Sequence, residues 1–154
     1  MIKIRRAKPE DVEELIKIIQ LADERTEEVA SKKVKKYINS EKGFFLLAID
    51  DKKIVGYLLF IVGDNDAEVE GIKLGDYSSV DWIAVHPEFR NRKIGSKLLA
   101  EVMKYSKKYH KKGLSLGCRD SALEFYKKNG FRNIKTYQKL TKSGKNLVIS
   151  WRKN

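Results

Sequence analysis

The sequence has few of the residues that cross-link small secreted proteins or break secondary structure. It contains one cysteine, Cys118, and two prolines among 154 residues. A single cysteine excludes an internal disulfide and is typical of a reducing compartment. No stretch reaches the roughly 20 apolar residues of a membrane-spanning helix, and the N-terminus lacks the apolar core of a signal peptide. These absences predict a cytoplasmic protein without a membrane partner.

Metal-ligand and nucleophile patterns are also scarce. The two histidines, His86 and His110, are not spaced with Cys118 as metal ligands usually are. We therefore expect no metal cofactor. Cys118 ends a short apolar run and has no histidine close in sequence, so we interpret it as a buried, inert thiol rather than an acyl-carrying nucleophile.

Positive charge, in contrast, is abundant. The chain has 33 Lys and Arg against 21 Asp and Glu, a formal net charge of +12. Such an excess attracts polyanions, so an anionic cofactor and a nucleic acid are both candidate partners. No recognised nucleic-acid motif is present, which favours the cofactor. The length predicts one domain.

Hydrophobic periodicity predicts a mixed α/β domain with the element order β-α-α-β-β-β-α-β-α-β-β. Two hairpin strands come early, and a right-handed β-α-β crossover lies in the middle. The acidic stretch 63–77 is predicted to be a loop with some strand around Glu68 to Lys73. The predicted strands cover 2–7, 43–50, 53–62, 80–85, 114–118, 131–140 and 146–152, and the helices cover 9–23, 26–39, 94–112 and 122–129.

The most informative stretch runs from Val80 to Leu99, VDWIAVHPEFRNRKIGSKLL. Its apolar strand ends before Pro87, which has no N–H for a ladder. A cationic turn then leads into a helix, whose first amides lack internal partners and lie at the positive end of the dipole. Cations and amides together favour phosphate or pyrophosphate. The plainer alternative is a strand–turn–helix crossover with incidental surface cations.

This stretch resembles the cofactor-binding motif of the GNAT acyltransferases, V-x-P-x-x-R-x-x-G-x-G/A, through Val85, Pro87, Arg90 and Gly95. The resemblance implies a central mixed, mostly antiparallel sheet flanked by helices. It also implies acetyl-CoA as co-substrate, with its pyrophosphate on the turn and its pantetheine arm along the strand. The residues implied to bind it are Ile83, Ala84, Val85, Arg90, Asn91, Arg92, Lys93, Ile94, Gly95 and Ser96.

Two residues of the turn depart from the family pattern. Lys93 takes the place of the first glycine of the motif, and Asn91 lies where another glycine is common. The β-carbon of Lys93 would crowd the phosphates, whereas its ammonium group would add a compensating cation. The sequence leaves both alternatives open.

A second segment, ALEFYKKNGF, resembles the family motif A-x-x-x-Y-x-x-x-G-F through Ala122, Tyr126, Gly130 and Phe131. In the family, the tyrosine at this position faces the thioester sulfur, so Tyr126 is implied to bind the cofactor and to act as general acid. A phenol is protonated at pH 7 and is able to protonate a leaving thiolate. The alternative is a core tyrosine. Arg119 replaces a common asparagine and is expected to contact the cofactor differently.

The resemblance implies an N-acetyltransferase in which an amine attacks acetyl-CoA directly in a ternary complex. A backbone N–H near Val85 would stabilise the oxyanion. Asp81, which shares strand parity with Ile83 and Val85, is our candidate base for the amine; Glu68 and Glu70 are alternatives.

The acidic loop 63–77 suggests a cationic acceptor amine, or simply a solvated loop on a basic protein. Two non-catalytic alternatives are an acyl-CoA-binding module and a basic nucleic-acid-binding module on the same fold. Edge strands near the C-terminus are also compatible with a homodimer.

Overall fold

The computed structural model describes residues 1–63, 67–141 and 144–150. Its contacts divide the chain into two compact units: Met1–Ile61 with Trp82–Val102, and Val62–Asp81 with Met103–Asn154. One strand and one long helix run from one unit into the other. None of the helices in the described ranges combines the length and apolar character needed to cross a membrane.

The first unit packs two helices on one side of its strands. Its elements are β1 (Ile2–Arg6), α1 (Val12–Asp23), α2 (Glu27–Tyr37), β2 (Gly43–Asp50), β3 (Lys53–Ile61), the end of β6 (Ser78–Val85) and the start of α3 (Ile94–Lys108). β1 pairs antiparallel with β2, and β2 pairs antiparallel with β3. β3 is followed in the sheet by β6.

Apolar periodicity explains how these helices pack. Leu15, Ile18 and Ile19 recur at helical spacing along α1 and are buried against the sheet residues Phe45 and Tyr57. α1 begins after a short 3-10 helix at Pro9–Asp11, where proline fits because the first N–H of a helix has no intrahelical acceptor. Thr26 caps α2 by accepting the N–H of Val29 at 3.2 Å.

The second unit contains the remaining elements. They are β4 (Glu68–Val69), β5 (Ile72–Lys73), the start of β6, the end of α3, β7 (Leu114–Cys118), α4 (Asp120–Lys128), β8 (Phe131–Thr141) and β9 (Gly144–Ser150). β6 and β7 pair in parallel, and β9 pairs antiparallel with both β7 and β8. Hydrogen-bonded neighbours follow the order β1-β2-β3-β6-β7-β9-β8. The predicted mixed, mostly antiparallel sheet flanked by helices is therefore confirmed.

Several element boundaries differ from the sequence prediction, among them those of α3, α4 and the segment around Glu68. α3 ends at Lys108, not near Lys112. α4 begins at Asp120, two residues before the predicted Ala122, and Arg119 is its N-cap. The strand expected around Glu68 to Lys73 is a small hairpin, whose turn residues Glu70 and Gly71 both have positive φ. Asp64, Asp66 and the predicted end of the last strand at 151–152 lie outside the described residues.

Candidate active site

The turn between β6 and α3 is built by local backbone chemistry. The imidazole Nδ1 of His86 accepts the backbone N–H of Glu88 at 3.0 Å, and the backbone N–H of His86 donates to the carbonyl of Val55 at 2.8 Å. Pro87 then starts a short 3-10 helix that ends at Phe89. These contacts end β6 and direct the chain toward α3. His86, to which the sequence assigned no role, therefore shapes the turn.

Two turn residues adopt the left-handed backbone conformation. Asn91 has φ +66° and Lys93 has φ +62°. Glycine is favoured in this region because it carries no β-carbon, and asparagine is among the best tolerated other residues. Lys93 thus keeps the backbone that a glycine would adopt at its position, and its side chain is exposed.

Helix α3 presents its first amides at the end of this turn. The N–H of Lys97 donates to the carbonyl of Lys93 at 3.0 Å, which is the first bond of the helix. The N–H groups of Ile94, Gly95 and Ser96 precede that bond and so have no intrahelical acceptor. Gly95 lies inside the first helical turn rather than in the loop. The helix dipole and these amides favour an anion here.

The cations of the turn have different surroundings. The guanidinium of Arg90 donates to the carbonyls of Val85 and Ala22, at 3.1 Å and 3.0 Å. That of Arg92 lies 4.9 Å from the centre of the Phe89 ring, and Lys53 approaches the same ring at 5.8 Å. Arg92 remains exposed. The turn is therefore basic, but the side chain of Arg90 is already engaged with backbone oxygen atoms.

On β6 the side chains alternate as the sequence predicts. Val80 and Trp82 are buried, whereas Asp81 is exposed and Ile83 and Val85 are partly buried. Ala84 is partly buried and packs against the core of the first unit, which contains Trp82. Ala84 also lies beside Gly56 of β3, where a β-carbon would come within 3.3 Å of the Ala84 carbonyl and of Ile94.

In the second unit, Tyr126 lies on α4 with its ring packed in aromatic contacts. The ring is 6% exposed and meets Phe125 and Phe131 edge to face, with centroids 5.1 and 5.5 Å apart. Burial, and to a smaller extent the nearby Cys118 thiol, raises the pKa of Tyr126 above its usual value. The phenol therefore carries its proton at physiological pH.

Cys118 is buried at the end of β7, as expected. Burial, followed by the charge of Asp120, raises the pKa of the thiol. A raised pKa disfavours the nucleophilic thiolate, which is consistent with an inert role. Within the described ranges, no group of three or more His, Cys, Asp or Glu side chains is gathered as metal ligands would be.

Comparisons with known proteins decide the family. The acetyltransferase (GNAT) domain family matches residues 41–133. An acetyltransferase of the GNAT family from Staphylococcus aureus Mu50 is 30% identical, with a TM-score of 0.71 over 97% of this chain and 98% of its own. The chain belongs to the GNAT acetyltransferase family. It is accordingly an enzyme of the acetyltransferase class.

More distant GNAT structures share the fold. The PaiA N-acetyltransferase from Thermoplasma acidophilum, solved with coenzyme A, is 21% identical, with a TM-score of 0.70 over 99% of both chains. The aminoglycoside acetyltransferase AAC(6′)-Iy, solved with a CoA-S-monomethyl-acetylneamine bisubstrate analogue, is 15% identical, with a TM-score of 0.78 over 92% of this chain and 98% of its own. A search of curated proteins finds no match.

The structure brings one group of predicted residues of this GNAT enzyme together in the first unit. Ile83, Ala84 and Val85 end β6, and the range 90–96 follows as the turn and the start of α3. In the second unit, Arg119 is the N-cap of α4, the helix that carries Tyr126. Asp81 lies on the part of β6 assigned to the second unit. Their roles toward acetyl-CoA stay predictions.

Two acidic residues of the segment 63–77, which was predicted to attract an amine, form ion pairs with lysines. Glu70 lies 3.6 Å from the ammonium of Lys135, and Asp76 lies 3.4 Å from that of Lys112. These pairs favour the interpretation that the segment is a solvated acidic loop that offsets part of the positive charge of the protein.

A buried polar cluster around Asn146 was not predicted from the sequence. Its amide nitrogen donates to Asp120 at 2.7 Å and to the Cys118 carbonyl at 3.4 Å. Its amide oxygen accepts from Thr136 at 2.8 Å and from Asn133 at 3.2 Å. Asn146 is 2% exposed. Through these hydrogen bonds it connects β9 to β7, to β8 and to the first residue of α4. The only sequence signal is an asparagine at the start of an apolar strand, which is too weak to identify it.

Proposed function

We propose that this chain transfers an acetyl group from acetyl-CoA to a primary amine. The observation that carries the proposal is the β6–α3 turn. There, two left-handed residues lead a basic segment into the first amides of a fifteen-residue helix. The donor set fits a pyrophosphate: amides at a helix N-terminus, the exposed cation of Arg92, and no carboxylate between Arg90 and Ser96.

The residues of the turn and of β6 would share the binding. The amides of Ile94, Gly95 and Ser96 would hold the phosphates, and Arg92 and Lys93 would add charge. The edge of β6 from Ile83 to Val85 would accept the pantetheine arm through backbone bonds. When bound, acetyl-CoA supplies an activated thioester, from which the amine takes the acetyl group as the carbon–sulfur bond breaks.

Two side chains would move protons. Tyr126 would give its phenolic proton to the departing sulfur, and its raised pKa keeps that proton available at neutral pH. Asp81 would accept a proton from the ammonium form of the acceptor, since a carboxylate at an exposed strand position is reachable from solvent. Glu68 and Glu70, which are also exposed, are the alternative bases.

The acceptor class is supported by the relatives. AAC(6′)-Ih from Acinetobacter baumannii is an aminoglycoside 6′-N-acetyltransferase, 18% identical to this chain with a TM-score of 0.76 over 92% of it and 98% of its own length. Together with AAC(6′)-Iy, it supports an amine nitrogen as the acetyl acceptor. We propose a cationic primary amine as the substrate class.

The experiment is a transfer assay with acetyl-CoA and a panel of amines: polyamines, aminoglycosides, lysine and short peptides with free N-termini. Thiol release is followed with a chromogenic reagent, and acetylated product is identified by mass spectrometry. Amine-dependent thiol release with a matching amide product supports the proposal. Release without product is hydrolysis, and release with none of the amines contradicts acetyl transfer to this class.

A further inference from the structure

The guanidinium of Arg90 bonds two backbone carbonyls from different segments of the first unit. Its Nε donates to Val85 at 3.1 Å, and its terminal Nη2 donates to Ala22 at 3.0 Å. Val85 is the last residue of β6, and Ala22 lies one residue before the end of α1. Arg90 therefore ties the turn to a strand end and to a helix end.

The carbonyl of Ala22 is well suited to a cationic donor. It belongs to the last four carbonyls of α1, which have no intrahelical partner and lie at the negative end of the helix dipole. Ala22 is also buried, at 8% exposure, so water has little access to the residue. A charged donor at this position bonds more strongly than a neutral one.

The end of α1 is itself held in place. The carboxylate of Asp23 accepts the hydroxyl of the buried Tyr57 at 3.1 Å and the Nε of Arg25 at 2.6 Å. Arg25 also covers the indole of Trp82 at 3.8 Å. Because these contacts fix the helix end to β3 and β6, the carbonyl of Ala22 is a fixed anchor for Arg90.

We propose that Arg90 is a positioning residue for acetyl-CoA binding. It holds the turn against α1 so that the amides of α3 face the pyrophosphate, and its own charge is not a phosphate ligand. The inference rests on the proposed function, because it requires acetyl-CoA to bind this turn. The phosphate-facing cations are then Arg92 and Lys93.

Two variants separate the positioning role from a charge role. Arg90→Gln keeps an N–H donor and removes the charge, whereas Arg90→Met has nearly the length of the glutamine variant and removes both the donor and the charge. Arg92→Gln removes a cation proposed to face the phosphates, and Lys35→Gln removes an exposed cation of α2 as a control for net charge. Calorimetry gives the Kd for acetyl-CoA at several ionic strengths, and urea unfolding confirms that each variant is folded.

The positioning role predicts that Arg90→Met weakens binding ~10-fold or more and Arg90→Gln ~3-fold or less. Both should keep the wild-type dependence of Kd on ionic strength. Arg92→Gln should flatten that dependence, because salt screens a charge contact. Lys35→Gln should change neither quantity.

Three results would overturn the inference. If Arg90→Gln bound acetyl-CoA as weakly as Arg90→Met, and its Kd depended less on ionic strength than that of the wild type, the charge of Arg90 would be a phosphate ligand. Wild-type affinity in Arg90→Met would remove the positioning role, whatever its stability. If the wild type did not bind acetyl-CoA at all, the proposed function itself would be refuted. That outcome is distinguishable from failure of the Arg90 inference alone, in which the wild type binds acetyl-CoA and the Arg90 variants bind it equally well.

Discussion

At the scale of single residues, the backbone of the β6–α3 turn explains a departure from the family motif. Lys93 occupies the position of a motif glycine and retains a positive φ of +62°. A β-carbon in this conformation costs about 1–2 kcal/mol for most residues. Lys93 therefore introduces backbone strain, and its ammonium group adds a positive charge beside the helix N-terminus.

The strain at Lys93 predicts an unusual order of stability. Lys93→Gly should be about 0.5–1 kcal/mol more stable than Lys93→Ala in urea unfolding, because glycine adopts positive φ without penalty. Both variants remove the same charge. Lys97 lies inside α3 with ordinary helical geometry, and the order should reverse there, with Lys97→Ala more stable than Lys97→Gly. If Lys93→Ala were more stable than Lys93→Gly, the order expected at Lys97, position 93 would carry no strain.

Tyr126 is the residue on which proton donation depends in this account. Tyr126→Phe should lower kcat about 100-fold or more while the Kd for acetyl-CoA changes by less than about threefold. Tyr109→Phe, just beyond α3, is the matched control and should retain wild-type turnover. Because burial raises the pKa of Tyr126, the phenol should stay protonated at pH values below about 10, and kcat should not fall in that range through its ionisation. Unchanged kcat in Tyr126→Phe would exclude the acid role.

The carboxylate of Asp11 links the start of α1 to β1. It accepts both terminal nitrogens of Arg5, at 2.7 and 2.9 Å, and the N–H of Lys8 at 2.7 Å. Hydrogen bonding from Arg5 is the main reason that the pKa of Asp11 lies below its usual value. A carboxyl with a lowered pKa stabilises the fold above its unfolded-state pKa, and that contribution is lost as the pH falls through the folded-state value.

Asp11→Asn should therefore cost about 1 kcal/mol at pH 7, measured by urea unfolding. The difference in unfolding free energy between the variant and the wild type should narrow below about pH 4, because the wild-type carboxyl then begins to bind a proton and becomes neutral like the asparagine amide. Glu13→Gln, at an exposed position of α1, is the control and should have little effect at either pH. A difference that is independent of pH would contradict the ionised pair.

At the scale of elements, Asn146 connects three strands to the start of α4. Because its side chain is buried and bonded on both sides, its loss would leave polar groups of Asp120 and Thr136 without their partner. Asn146→Ala should cost about 2–3 kcal/mol, and Thr136→Val about 1 kcal/mol. In the double variant the costs should not add, because both changes break one network. Additive costs would show that the bonds act independently.

The end of α3 shows why some boundaries were not predictable. Gly113 resembles a helix-ending glycine, but the helix ends earlier in a Schellman motif. The N–H of Lys111 bonds the carbonyl of Ser106, and that of His110 bonds Lys107. His110 takes the positive φ of +61° that glycine usually supplies. Helical spacing alone does not reveal a non-glycine residue at this position.

The predictable parts are those that depend on local pattern. The alternation along β6, the apolar face of α3 and the basic turn are all encoded within a few residues of one another. The two bonds of Arg90 and the cluster around Asn146 depend on partners that are far apart in sequence: Arg90 reaches Ala22, and Asn146 reaches Cys118 and Asp120. Such contacts require the folded chain to bring distant segments together.

At the scale of the whole molecule, the net charge of +12 is compatible with more than one anionic partner. Membership in the GNAT family favours acetyl-CoA over a nucleic acid. A homodimer, a cytoplasmic location and a single domain stay predictions. Charge attracts polyanions without selecting among them, so we propose that the turn and β6, and not the net charge, select acetyl-CoA.

The most direct test of the account compares acetyl-CoA binding to wild type, Gly95→Asn and Gly95→Asp in a thermal shift assay. The two side chains are similar in size and differ in charge, and an acidic residue in the first turn does not disfavour the helix. At about 100 times its Kd, acetyl-CoA should add about 2.7 kcal/mol to the wild type, a rise in Tm of roughly 5–10 °C. Gly95→Asp should lose this shift, and Gly95→Asn should retain more of it. No shift in the wild type, or equal shifts in the two variants, would contradict a pyrophosphate site at the start of α3.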